Sequence, residues 1–140
     1  ALAEGQMVLA DRFVSSTLAY QGGAAGLPLD QIHRVAEVAL GGCGPDLVVI
    51  FDVDEGTVAR RLGAKPKRTP FKATHEPTLF SDRMEGKDAE YHRAVRHAYL
   101  KQAKANPNRY AVVDASGDEE AVFKKVVETL ADRFEGNKNI

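Results

Sequence analysis

Leu47-Val48-Val49-Ile50-Phe51-Asp52 is a continuous apolar run that begins after Pro45-Asp46 and stops at an acid. Apolar and polar residues do not alternate within it. Such a run, bounded by turn residues, predicts a strand covered on both faces, as in a parallel sheet. Two further runs share the pattern. Met7-Val8-Leu9-Ala10 follows Gly5 and ends at Asp11-Arg12, and Tyr110-Ala111-Val112-Val113 ends at Asp114. In all three, polar residues gather at the C-terminal end. In open α/β sheets ligands bind at that edge.

Helical periodicity fills the intervals. Leu29, Ile32, Val35, Ala36, Ala39 and Leu40 recur at helical spacing and stop at Gly41-Gly42. Thr57 to Leu62 predicts a short helix capped by Asp54. Asp88 to Ala105 predicts a longer one, with Tyr91, Val95, Ala98, Tyr99 and Gln102 on one face, ending before Asn106-Pro107. A last helix starts at the capping-box pattern Ser116-Gly117-Asp118-Glu119. Its apolar stripe is Val122, Phe123, Val126, Val127, Leu130 and Phe134, and the tail from Glu135 is expected to fray. Between Gly63 and Ser81 the periodicity vanishes, and Lys65-Pro66-Lys67-Arg68-Thr69-Pro70-Phe71-Lys72 is basic and broken by proline. A loop of that length in a compact domain is a lid, a binding loop or a solvated linker.

The 140 residues suit one domain, and 44% hydrophobic content is enough for a core. A formal net charge of −1 gives no basic field for nucleic acid or an anionic membrane. No apolar run approaches the roughly 18 residues that span a bilayer. The lone Cys43 excludes an intrachain disulfide and fits a reducing compartment, the cytoplasm. It sits in a Gly-rich loop with no neighbouring His in sequence, which reads as an incidental thiol. The start, Ala1-Leu2-Ala3-Glu4-Gly5, has neither a basic nor a long apolar stretch. It reads as a helix end followed by a turn, so the chain is expected to begin in mid-domain.

Asp11-Arg12-Phe13-Val14-Ser15-Ser16-Thr17-Leu18-Ala19-Tyr20-Gln21-Gly22 carries the most chemistry. An Arg at a strand's ligand edge can grip a phosphate with a bidentate fork. An Asp beside it can hold Mg²⁺, directly or through water, or orient an attacking oxygen. Ser16 and Thr17 can cap a helix or hydrogen-bond a base, and Tyr20 with Gln21 suits a planar base bearing donors and acceptors. From spacing alone, a strand end with a surface ion pair and a Ser/Thr-rich helix start reads equally well. The histidines are weaker. His33 reads as surface, and His92 and His97 are five residues apart and do not share a helix face well. With His75 they complete no zinc pattern.

The Asp11–Gly22 stretch resembles the signature of thymidylate kinases: Asp-Arg-aromatic, then Ser-Ser/Thr, then Ala-Tyr-Gln-Gly. The resemblance continues in order along the chain. Gly44-Pro45-Asp46-Leu47 to Phe51-Asp52-Val53 is similar to the family's Pro-Asp-Leu strand, and Val58-Ala59-Arg60-Arg61-Leu62 to its Arg-bearing helix. Asp82-Arg83-Met84-Glu85 resembles the lid, Tyr91 to Tyr99 the helix after it, and Val113-Asp114-Ala115-Ser116-Gly117 the loop against adenine.

This resemblance implies an α/β fold: a P-loop NTPase-type parallel sheet flanked by helices, with the N-terminal strands, including the P-loop strand, missing. It implies one partial domain over residues 1–140, with a lid at about 63–87. The implied reaction is transfer of the ATP γ-phosphoryl to dTMP, giving dTDP and ADP, with Mg²⁺ as cofactor. Implied acceptor-site residues are Arg12, Ser16, Thr17, Tyr20 and Gln21, and Asp11 supports the metal. Arg61, Asp114, Ala115 and Ser116 are implied at the ATP side, and Arg68 and Arg83 as catalytic lid cations, with Lys65, Lys67 and Lys72 less specific. The implied partners are dTMP, ATP and a second copy of the complete protein, with neither nucleic acid nor membrane. The sequence has no Gly-x-x-x-x-Gly-Lys-[Ser/Thr]; its one Gly-Lys, Gly86-Lys87, is followed by Asp88. The 140 residues are therefore expected to be a partial sequence, inactive and unstable alone. Two alternatives stand beside this: a non-catalytic nucleotide-binding module, and a kinase for another nucleoside monophosphate.

Overall fold

Val48–Asp52 and Tyr110–Asp114 form strands β1 and β2, paired in parallel with Val48 opposite Tyr110 and Asp52 opposite Asp114. In the computed structural model, which describes residues 1–64 and 89–135, these two strands make the sheet. The ladder continues past both ends: Val48 N donates to Arg109 O and Ala115 N to Asp52 O, each at 2.8 Å. The register brings Asp52 and Asp114 side by side at the C-terminal edge.

A 3-10 turn at Leu2–Glu4 opens the chain. Helix α1 (Val14–Thr17) runs into a π-helical segment (Leu18–Ala24). Then follow α2 (Leu29–Leu40), α3 (Glu55–Ala64), α4 (Ala89–Ala105) and α5 (Glu119–Glu135). Helix α2 stops where Gly41 takes a left-handed φ of 54°, a conformation glycine adopts without a Cβ clash. Helix α3 is capped by Asp54, whose carboxylate accepts from Thr57 N at 2.8 Å and Thr57 Oγ1 at 2.7 Å. It extends through Gly63-Ala64, beyond the expected end at Leu62.

The core lies where α4 meets the π segment and β2, with α5 packed on β2 as well. Its buried members are Leu18 and Ala19 from the π segment, Val95 and Ala103 from α4, and Ile50, Ala111, Val113 and Ala115 from the sheet and its edge. Small residues let the helical segments approach closely. A Cβ placed on Gly23 would fall 2.3 Å from Ala98 Cβ.

Several expectations are corrected. Residues 6–10 form no strand, and Met7, Val8 and Leu9 are 71%, 52% and 87% exposed. An apolar run becomes a strand only where another strand accepts its backbone hydrogen bonds, and among the described residues β1 pairs only with β2. Nor are the two strands covered on both faces, since Phe51 and Val112 are largely exposed. On α2, Ile32 is buried, while Leu29 and Val35 stay exposed, because the apolar stripe is wider than its contact with the π segment. On α5, Phe123, Val127 and Phe134 are exposed for the same reason. That helix begins at Glu119, and its cap is Asp118, which accepts from Ala121 N at 2.8 Å. Ser116 cannot serve, because its hydroxyl is bound to Asp114. The lid segment from residue 65 to 88, with Lys65, Lys67, Arg68, Lys72, His75 and Arg83, lies outside the described residues, as does the tail beyond Glu135. Among the described residues no helix is long and apolar enough to cross a membrane.

Candidate functional site

Asp11 and Arg12 lie exposed just before α1. Arg12 has φ 67°, and it is the one non-glycine residue with positive φ among those described. For an L-residue that conformation costs about 1–2 kcal/mol, and such strain collects at ligand clamps. The turn carries the guanidinium over the Tyr20 ring, 5.3 Å from its centroid. Tyr20 is half-buried and meets Tyr91 and Tyr99 of α4 edge-on, each with ring centroids 6.4 Å apart. Edge-to-face packing of this kind is favourable beyond the area it buries.

Below the rings, hydrogen bonds join α4 to α1. Tyr99 O–H donates to Ser16 Oγ at 2.7 Å, and Gln102 Nε2 donates to the Ser15 carbonyl at 3.1 Å. Tyr110 O–H donates to Gln102 Oε1 at 3.2 Å, and burial holds that phenol above its ordinary pKa. Arg12, Ser16 and Tyr20 are thus brought together. Thr17 and Gln21 are exposed on the same short helical stretch.

The residues expected on the ATP side gather separately, at the end of β2. Arg61 Nη2 donates to Ala115 O at 2.8 Å and Gly117 O at 2.7 Å. A pocket there is lined by Arg61, Ala115, Gly117, Asp118, Glu119 and Val122. Asp114 accepts from Ser116 N at 3.0 Å, from the Ser116 hydroxyl, and from Lys125 Nζ at 2.7 Å. These partners, Lys125 first, hold the Asp114 carboxyl well below the usual carboxylate range. The stability this contributes is present above the unfolded value near 3.8 and is lost as pH falls through the depressed folded value. Lys125→Met is therefore expected to move the Asp114 titration upward, toward 3.8, in a carboxyl-detected NMR titration. An unmoved midpoint would show that Lys125 is not the main cause.

Between the two groups, Arg96 of α4 forks onto Asp52, with Nε to Oδ1 at 2.6 Å and Nη2 to Oδ2 at 2.8 Å. Arg93 adds a looser ion pair to Glu55 at 3.5 Å. Helix α4 is thereby tied to the C-terminal end of β1, beside the ligand edge. The sequence had marked Asp52 as a polar strand end, but not its partner on α4. Tyr99 and Gln102 were likewise visible only as helix-face residues, with no signal of what each would meet, and Lys125 carried no signal at all.

No three His, Cys, Asp or Glu side chains among the described residues cluster to hold a metal. Asp11 is an exposed carboxylate outside any such cluster among the described residues. That donor set fits Mg²⁺, which keeps several waters and takes one or two carboxylates together with substrate phosphates. It does not fit an ion caged by protein alone.

A family model described as thymidylate kinase matches residues 1–126. Thymidylate kinase of Caldanaerobacter subterraneus subsp. tengcongensis is 37% identical over 139 residues, which cover 99% of this chain and 60% of that protein. The thymidylate kinase of Symbiobacterium thermophilum is 40% identical over 141 residues, covering 97% and 59%. A crystal structure of thymidylate kinase from Ehrlichia chaffeensis superposes with a TM-score of 0.62 at 24% identity, covering 92% of this chain and 53% of that one. At that identity the likeness speaks for the fold, a P-loop NTPase-type α/β architecture. The chain spans about 60% of the length of the curated relatives it matches.

Proposed function

The chain belongs to the thymidylate kinase family, and on that premise we propose that the protein carrying it transfers the γ-phosphoryl group of ATP to dTMP. One observation carries the acceptor assignment: the strained Arg12 poised over Tyr20, with Ser16 beside the same rings. Arg12 grips the dTMP phosphate with its guanidinium fork. Ser16, Thr17, Tyr20 and Gln21 surround the thymine and deoxyribose. A phosphate oxygen of dTMP attacks the γ-phosphorus, the bond from that phosphorus to the ADP oxygen breaks, and dTDP and ADP leave. The transferring group gathers negative charge, so catalysis lies in positioning and in cations set against it. Asp11 would hold Mg²⁺ through water, and the ion supplies charge neutralisation at the phosphates. Arg61, Asp114, Ala115 and Ser116 border the adenine side. Arg68 and Arg83 are the cations proposed to close on the transferring group from the 63–87 segment.

A second reading has its own observation. The 140 residues contain no Gly-x-x-x-x-Gly-Lys-[Ser/Thr], and phosphoryl donation needs a cradle of that kind. The chain alone would then bind a nucleotide without turning it over. Both readings place the protein in the cytoplasm with its nucleotides, and the kinase reading includes a homodimer, for which α2 leaves Val35 and Val38 exposed.

The test is ADP release by the full-length protein with ATP, Mg²⁺ and dTMP, dUMP, dCMP or dAMP in turn. The kinase reading expects release with dTMP foremost and twice the monomer mass by sedimentation. Tight dTMP binding without ADP would favour the non-catalytic reading, and a preference for another monophosphate would replace the substrate.

A further inference from the structure

Tyr99 and Gln102 stand three residues apart in sequence and share a face of α4. They reach consecutive residues of the acceptor helix, through the Ser16 hydroxyl at 2.7 Å and the Ser15 carbonyl at 3.1 Å. Both bonds are partly buried, and Ser15 is 8% exposed. Gln102 is itself held from the other side by Tyr110, the first residue of β2. A continuous chain of hydrogen bonds therefore runs from the sheet, through α4, to the helix that carries the candidate acceptor residues.

The bonds land where that helix changes character. Val14–Thr17 is α-helical and Leu18–Ala24 is π-helical. A π segment bonds five residues back instead of four, and such segments occur mostly as single turns at functional sites. The angular position of Tyr20 relative to Arg12 depends on where the change falls. A helix left to its local preference has no reason to place it at Thr17–Leu18. Two side-chain anchors on the residues just before the change supply that reason.

We propose that Tyr99 and Gln102 are positioning residues for the acceptor nucleotide. They pin the α-to-π change, set where Arg12 and Tyr20 face dTMP, and do not touch the nucleotide themselves. This rests on the kinase reading above.

Tyr99→Phe tests it with the loss of one oxygen, because the ring stays against Tyr20. In the full-length protein the KM for dTMP is expected to rise about 3- to 10-fold, the range of one partly buried hydrogen bond. The KM for ATP and kcat should stay within about twofold. The Kd for dTMP, measured by calorimetry without ATP, should rise by the same factor as its KM. Gln102→Glu keeps the acceptor for Tyr110 but turns a carboxylate oxygen on the Ser15 carbonyl, and should act in the same direction. Unchanged dTMP KM and Kd in both variants would overturn the assignment. So would dTMP and ATP constants rising together with a fall in Tm, which is the mark of general loosening. The wild-type protein separates the two levels. If it turns over dTMP while both variants match it, only the positioning role fails. If the wild type neither binds dTMP nor releases ADP, the kinase reading fails and takes the assignment with it.

Discussion

Arg12→Ala in the full-length protein is expected to lower kcat/KM for dTMP by about 10- to 100-fold while leaving stability within about 1 kcal/mol. The loss corresponds to one charge-assisted phosphate contact. The small stability change follows from what the side chain meets among the described residues, the Tyr20 ring 5.3 Å away at an exposed position, worth about 0.5–1 kcal/mol. Arg12→Gly sharpens the expectation. Glycine accepts the φ of 67° without strain, so this variant should be about 1 kcal/mol more stable than Arg12→Ala and just as impaired. Arg12→Lys keeps the charge without the planar fork and should fall between wild type and alanine. Steady-state kinetics with dTMP varied, beside thermal melts, check all three. Normal kinetics in Arg12→Ala would remove this residue from the site, and a large loss of stability would make its role structural.

Gly23→Ala should destabilise the protein by about 1–3 kcal/mol, the cost of overpacking a close contact. The added Cβ would lie 2.3 Å from Ala98 Cβ. Alanine has no flexible end to swing aside, so the backbones of α4 and the π segment must separate. That separation would also lengthen the bonds from Tyr99 and Gln102 to the acceptor helix, so dTMP affinity should fall together with Tm. Ala98→Gly alone should cost about 1 kcal/mol from helix propensity. Added to Gly23→Ala it should recover part of the loss, because it removes the atom in the way. The two substitutions would then be non-additive, as neighbours in contact are. Additive losses in denaturant melts would show that the close approach is not what limits this position.

Much of the architecture was legible from local pattern. The runs at Val48 and Tyr110, the Gly41 stop, the Asp54 cap and the helix ending before Asn106-Pro107 all depend on residues close in sequence. So did the Asp11–Gly22 stretch, whose resemblance to the family was readable as an ordered string. The failures have one form. Met7-Val8-Leu9 has the composition of a strand, yet stands exposed, because strand formation requires a partner backbone and no local property supplies one. Val35 and Phe123 continue apolar stripes beyond the surface their helices meet.

Sequence alone was sufficient for most helices, for β1 and β2 with their polar ends, and for the family, because caps, periodicity and motif order are short-range properties. The site's geometry was decided only by the tertiary structure. Tyr99 meets Ser16 across 83 residues, Gln102 meets Ser15 across 87, Arg96 forks onto Asp52 across 44, and Arg61 reaches Ala115 across 54. Each partner is chosen by which helix packs on which strand, and a hydrogen bond over such separations leaves no trace in local residue order. The shift from α to π winding before Tyr20 belongs with them, since it coincides with contacts from α4.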